Sequence, residues 1–217
     1  TLFRSNVTGT DTVGGLLGYG EWSNAIINNT YASGNVNGTY NLGGLVGYFY
    51  YYGQILNSTA FGNVTGTSSV GGLLGQALIS NTITNATAYG RVSGSSQVGG
   101  LIGSVSNYST SITNSAANNA VTGSFVNGGT TVAFGVRGTG SDVGGLVGYM
   151  NNGSITGSTA NTVVVGQSSS VGGLVGRIET GTSFQTSGSM GTVTGVGSVG
   201  GLVGSMYGYS SIAKSYA

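Results

Sequence analysis

The hexapeptide V-G-G-L-[VLI]-G occurs seven times in this chain, starting at Val13, Leu42 (Leu in place of Val), Val70, Val98, Val143, Val171 and Val199. Five of the six intervals are 28 or 29 residues, and the sixth, from Val98 to Val143, is 45. Self-similarity at a fixed period of about 20–50 residues marks a solenoid, propeller or array. Each unit is too small to bury a core by itself and folds only by stacking on its neighbours.

Aligning the repeats exposes a second motif about a dozen residues after the first. In one copy it reads Ser58, Ala60, Gly62, Val64, Gly66 at alternate positions, and in the next Ala86, Ala88, Gly90, Val92, Gly94. Ser115, Ala117, Asn119, Val121, Gly123 and Ser158, Ala160, Thr162, Val164, Gly166 repeat it, while the intervening positions vary. Period-two alternation predicts a strand with one face buried, here a face of small residues. The hexapeptide lacks polar alternation and reads as a strand buried on both sides or held at a tight bend. Its glycines would allow positive φ or close backbone approach. The stretches between motifs, such as 48–54 and 104–111, read as surface loops.

The predicted fold is all-β with almost no helix: a β-solenoid of about seven 28-residue repeats, each a coil of two or three short strands. At the usual strand spacing, seven coils make a rod about 30–35 Å long; two coils per repeat would roughly double that. A propeller fits less well, because a four-stranded blade usually needs about 40 residues or more. Residues 1–217 read as one continuous repeat domain with an insertion at 124–142. Part of the insertion, 133–143, echoes 60–70 with one residue lost, which predicts a duplicated strand forming a partial rung or a lateral hairpin.

Composition narrows function more than it names it. Gly is 45 of 217 residues, 38% are hydrophobic, 4% are charged and the formal net charge is +1. Low hydrophobicity with high net charge would signal disorder, and this chain has neither. Pro is absent and Gly is not spaced every third residue, which excludes collagen. Five basic residues form no stripe for nucleic acid. No run approaches the roughly 18 apolar residues of a membrane helix.

The motif pair resembles the GLUG repeat family, named for its Gly-Leu-hydrophobic-Gly core, as in Gly72-Leu73-Leu74-Gly75 and Gly145-Leu146-Val147-Gly148. The resemblance covers the chain apart from the insertion. It implies a module of secreted or surface-anchored microbial proteins, including adhesins resembling filamentous haemagglutinin and regions attached to immunoglobulin-cleaving peptidases. It implies a structural or adhesive role, and names no ligand or catalytic residue.

The residues themselves argue against catalysis. There is no His and no Cys, and the acids are Asp11, Glu21, Asp142 and Glu179. P-loop and dinucleotide motifs lack their strand–helix context, and two Asp are too few for a calcium β-roll. No enzyme activity, cofactor or metal is therefore expected.

Two residue sets stand out for binding or modification. The residue after the hexapeptide is Tyr at Tyr19, Tyr48 and Tyr149, and Tyr50, Tyr51 and Tyr52 extend the second of these. Exposed tyrosines suit sugar stacking or protein contact; the alternative is that they stack on each other between coils. Asn-x-Ser/Thr sequons start at Asn6, Asn28, Asn37, Asn57, Asn63, Asn85, Asn107 and Asn152. They are candidate glycosylation sites or merely turn-forming polar residues.

Both chain ends fall at the same point of the repeat without capping residues, as expected of an excerpt from a longer protein or of a subunit that stacks head to tail. The expectation is an extracellular or cell-surface stalk, adhesin or filament, with further copies of itself as partner and no nucleic acid. The alternative is a glycan-binding adhesin using its Tyr-rich loops on surface glycans or a host or neighbouring cell. A polysaccharide-acting enzyme is a distant third.

Overall fold

The computed structural model describes residues 2–21, 24–127, 130–167 and 169–217. Among them there is no helix, and five parallel sheets of seven strands each run through the chain. Each repeat is one coil of a β-solenoid. The third coil contributes Thr59–Ala60, Val64–Thr65, Ser68–Gly71, Leu74–Ile79 and Thr82–Thr84 to the first through fifth sheets in turn. A coil therefore holds five short strands rather than two or three. Pairing is parallel and in register one repeat away, as in Val64↔Val36 and Val64↔Val92. That register excludes both two coils per repeat and a propeller.

The alternating motif is two strands, not one. Thr59–Ala60 and Val64–Thr65 lie in different sheets, and the chain turns between them at Gly62, where a Cβ would overlap the Gly34 carbonyl oxygen of the preceding coil. The hexapeptide is likewise a corner. Val70 and Gly71 end a third-sheet strand, and Leu74 begins a fourth-sheet one. The hexapeptide glycines do not have positive φ; what they provide is close backbone approach. A Cβ on Gly72 would overlap the Gly100 carbonyl oxygen and sit 2.8 Å from the Ala88 Cβ of the next coil. The same Gly–Ala contact recurs from Gly44 to Ala60, from Gly100 to Ala117 and from Gly145 to Ala160, each at 2.9 Å.

This contact, with Ser189 in place of Ala against Gly173, pinches the coils at a waist and divides the interior into two cores. The smaller is lined by the first hexapeptide residue and the second-sheet valines, for example Leu42, Val70, Val98, Val64 and Val92. The larger holds the hexapeptide Leu (Leu45, Leu73, Leu101, Leu146, Leu174), the first-sheet alanines and the fifth-sheet column Ile27, Ile55, Ile83, Ile112, Ile155 and Phe184. Four of the five constant positions of the alternating motif thus have separate tasks. Ala meets the waist, the first Gly makes a corner, and Val fills the small core.

The fourth of these, Ser, forms a buried ladder. Each hydroxyl donates two residues back, Ser58 to the Leu56 carbonyl (2.7 Å), Ser115 to Thr113 (2.8 Å) and Ser158 to Thr156 (3.0 Å). Each Oγ also accepts a backbone N–H from the preceding coil: Thr30 to Ser58 (3.2 Å), Ala86 to Ser115 (3.1 Å) and Ser115 to Ser158 (3.1 Å). Ser158→Ala leaves the Ser115 N–H without its acceptor in a dry site, an expected loss of about 1–3 kcal/mol. Ala86→Ser places a hydroxyl opposite the Ser58 N–H and extends the ladder, an expected gain of about 1 kcal/mol. Denaturant midpoints of the two variants check both signs.

The segments expected to be loops are largely strand and core. Val46–Tyr51 and Ile102–Val105 are fourth-sheet strands, and Thr110–Thr113 belongs to the fifth; Phe49 and Val105 are buried. The insertion is a lateral antiparallel hairpin, Gly123–Asn127 with Thr130–Phe134; its residues 128 and 129 lie outside the described ones. The duplicated strand then rejoins the coil, and Val136, not Val121, pairs with Val92 and Val164. Val121 is exposed and in no sheet, so its placement on the constant inner face is corrected. Phe134 anchors the hairpin base, with the Arg91 and Arg137 guanidinium carbons 5.7 and 5.9 Å from its ring centroid.

Candidate functional site

Parallel in-register pairing sorts outward side chains into columns along the rod. The residue after each hexapeptide sits on the outer face of the fourth sheet, giving the order Tyr19, Tyr48, Gln76, Ser104, Tyr149, Arg177, Ser205. Tyr19 and Tyr48 stack with centroids 5.3 Å apart and planes within 5°. Tyr48 continues to Tyr50 at 6.1 Å, Tyr50 meets Tyr51 edge to face at 4.3 Å, and Tyr51 reaches Tyr52 at 6.2 Å. Five of the six singled-out tyrosines thus form one continuous patch. Tyr149 shares the column but lies three coils from Tyr48.

Burial, and then the neighbouring Tyr19 and Tyr50, push the Tyr48 phenol up to about 12. A hydrogen bond with Tyr50 raises Tyr51. Both phenols therefore stay protonated at neutral pH. In the parallel Tyr19–Tyr48 pair each ring covers one face of the other, which leaves less ring face for a sugar than isolated rings would offer.

A second cluster was not legible as a group. Arg177 lies over Tyr149 (5.9 Å to the centroid) and Tyr207 (5.2 Å), and pairs with Glu179. The neighbouring Asp142 is buried, with one carboxylate oxygen unpartnered. Asp142 precedes the fifth hexapeptide and Arg177 follows the sixth, so only the coil register brings them together. Desolvation raises the Asp142 carboxyl above its ordinary 3.8, opposed by Arg177 and a hydrogen bond with Ser141. The unfolded chain therefore releases this proton first as pH rises from 3.8. Stability falls from there until the folded carboxyl ionises, and the loss persists at neutrality. Asp142→Asn is expected to remove that decline and to raise stability at neutral pH. Asn suits the left-handed backbone there (φ 60°), as at Asn41 in the same column (φ 49°). Denaturation at acid and neutral pH checks the change.

The sequons divide by what their amides do. Asn57 Nδ2 donates to Asn28 Oδ1 (3.1 Å), and Asn85 Nδ2 to Asn57 Oδ1 (3.0 Å). Asn6 and Asn63 instead accept backbone N–H groups of the next coil, from Asn35 (2.8 Å) and Arg91 (2.9 Å). Asn37 and Asn107 are exposed, and Asn152 is half-buried with φ 67°.

Among the described residues no three His, Cys, Asp or Glu side chains come together as a metal site. No helix there is long and apolar enough to cross a membrane. No curated protein and no solved structure matches the chain. The family model for the GLUG motif matches residues 38–65 and 94–122. Each match spans about one turn of the rod, so this chain carries GLUG-motif repeats, and here the motif is one coil of a parallel β-solenoid.

Proposed function

We propose that the chain is a structural module, a rigid length of an extracellular or cell-surface stalk, adhesin or filament. One observation carries the reading: all five sheets continue in register from the first coil to the seventh. A rod so built resists bending because each coil is hydrogen-bonded to its neighbours on five sides. Its outward side chains are also used between coils, as in the Tyr19–Tyr48 stack and the Asn28–Asn57–Asn85 chain. Catalysis has little support: among the described residues the acids that gather are Glu179 and Asp142, and the first is paired with Arg177.

Strands of the first coil pair on one side only, as do those of the last coil except Gly188–Ser189, which also bridges Tyr216. Such edges accept a further coil, whether from a continuation of the chain or from another copy. Negative-stain microscopy over a concentration series tests self-stacking: rods that lengthen with concentration support it, and particles of one fixed length remove it. Binding on a glycan array that disappears in Tyr50→Ala and Tyr51→Ala would replace the structural reading with the glycan-binding one.

A further inference from the structure

The structural role accounts for the Tyr19–Tyr48 stack but leaves Tyr50, Tyr51 and Tyr52 unexplained, since coils without them keep the same register. The fourth-sheet column carries Gln76 and Ser104 in the coils next along the rod. The second coil alone supplies Tyr48, Tyr50, Tyr51 and Tyr52, and the first adds Tyr19 against them. Tyr50 and Tyr51 meet edge to face, with ring centroids 4.3 Å apart. That separation is ring-to-ring contact, and both side chains are only partly buried.

We propose that this patch is an oxidative cross-linking site, at which peroxide-driven peroxidase chemistry joins the Tyr50 and Tyr51 rings within one chain. Each phenol gives up one electron and its hydroxyl proton to the oxidant, leaving two ring radicals. A carbon–carbon bond forms between ring carbons ortho to the two oxygens. Each of those carbons then releases its proton, which returns to the phenol oxygen as the ring regains aromaticity. Hydrogen peroxide takes up the two electrons and two protons and leaves as two waters. The product is a dityrosine, two hydrogens lighter than the starting pair. The stacked neighbours Tyr48, Tyr52 and Tyr19 serve the same chemistry, because a radical formed on any of them can pass to the Tyr50–Tyr51 pair by electron and proton exchange.

Exposure and proximity give opposite predictions, which makes the site testable. Tyr209 is 96% exposed and Tyr108 65%, whereas Tyr50 and Tyr51 are partly buried. Dilute purified chain is treated with a peroxidase and hydrogen peroxide, then followed by dityrosine fluorescence, denaturing electrophoresis and peptide mass spectrometry. The expected product runs at monomer mass, carries the loss of two hydrogens in the peptide containing Tyr50 and Tyr51, and largely disappears in the Tyr50→Phe/Tyr51→Phe variant. That variant keeps both rings and their packing, and circular dichroism verifies its fold. Cross-links through Tyr209 or Tyr108, a ladder of multimers, or an unchanged dityrosine yield in the folded variant would each overturn the proposal.

Discussion

Gly72→Ala is expected to destabilise the rod by about 3 kcal/mol, the top of the usual range for overpacking, although it adds a single methyl group. The added Cβ would overlap the Gly100 carbonyl oxygen and come within 2.8 Å of the Ala88 Cβ. The oxygen is backbone, and Ala88 has no rotamer to change. Relief requires moving one coil away from the next at the waist, which loosens both cores together. The loss should appear as a lower denaturation midpoint, with faster amide exchange centred on the third and fourth coils, since repeat stability is set by neighbouring units. Gly157→Asn is the control. Gly157 (φ 57°) follows Asn57, Asn85 and Asn114 in a column of left-handed corner residues, and its Cβ would meet only the flexible Asn114 side chain. That change is expected to be nearly neutral, so cost tracks the waist rather than glycine loss as such.

Phe49→Ala is expected to lower stability by about 3–5 kcal/mol, the range for emptying a buried aromatic site. Phe49 is 1% exposed and among the largest side chains in the larger core. It fits because its surroundings are small: its register partners are Gly20 and Ala77, and a Cβ on Gly20 or Gly53 would lie 2.6 or 2.5 Å from the ring. Its in-register neighbours Gly20 and Ala77 are too small to fill the cavity left behind. Tyr48→Ala, one residue away and facing outward, should cost much less. Equal effects from the two would place residues 48–54 in a surface loop after all.

These two positions also show where the sequence was readable. Ala60 and Val64 were visible as inward residues because alternation survives a corner, and for the same reason the corner at Gly62 was hidden. The hexapeptide announced close approach but not the waist, since Gly72 and Ala88 lie in different motifs and different coils. Phe49 was masked by its aromatic flanks. It becomes legible only down the column Gly20, Phe49, Ala77, Val105, Met150, Ile178, where the shared feature is an inward, apolar or Gly position. Among the candidate site residues, the Tyr19–Tyr48 stack followed from equal repeat position. That Asp142 lies near Arg177 did not, because the two hold different repeat positions in successive coils.

The central claim is that one repeat makes one coil, stacked in register. The chain has no Cys, so cysteines introduced at Thr8 and Thr194 would carry the only spin labels. Both face outward in the second sheet, linked through Asn37, Thr65, Ser93, Arg137 and Val165. Six steps at the normal strand spacing separate them by about 29 Å along the rod. Pulsed electron spin resonance should give one narrow distance near that value, broadened by the label tethers. A peak near roughly twice that distance, as two coils per repeat would require, or a spread without a peak, would contradict the stack.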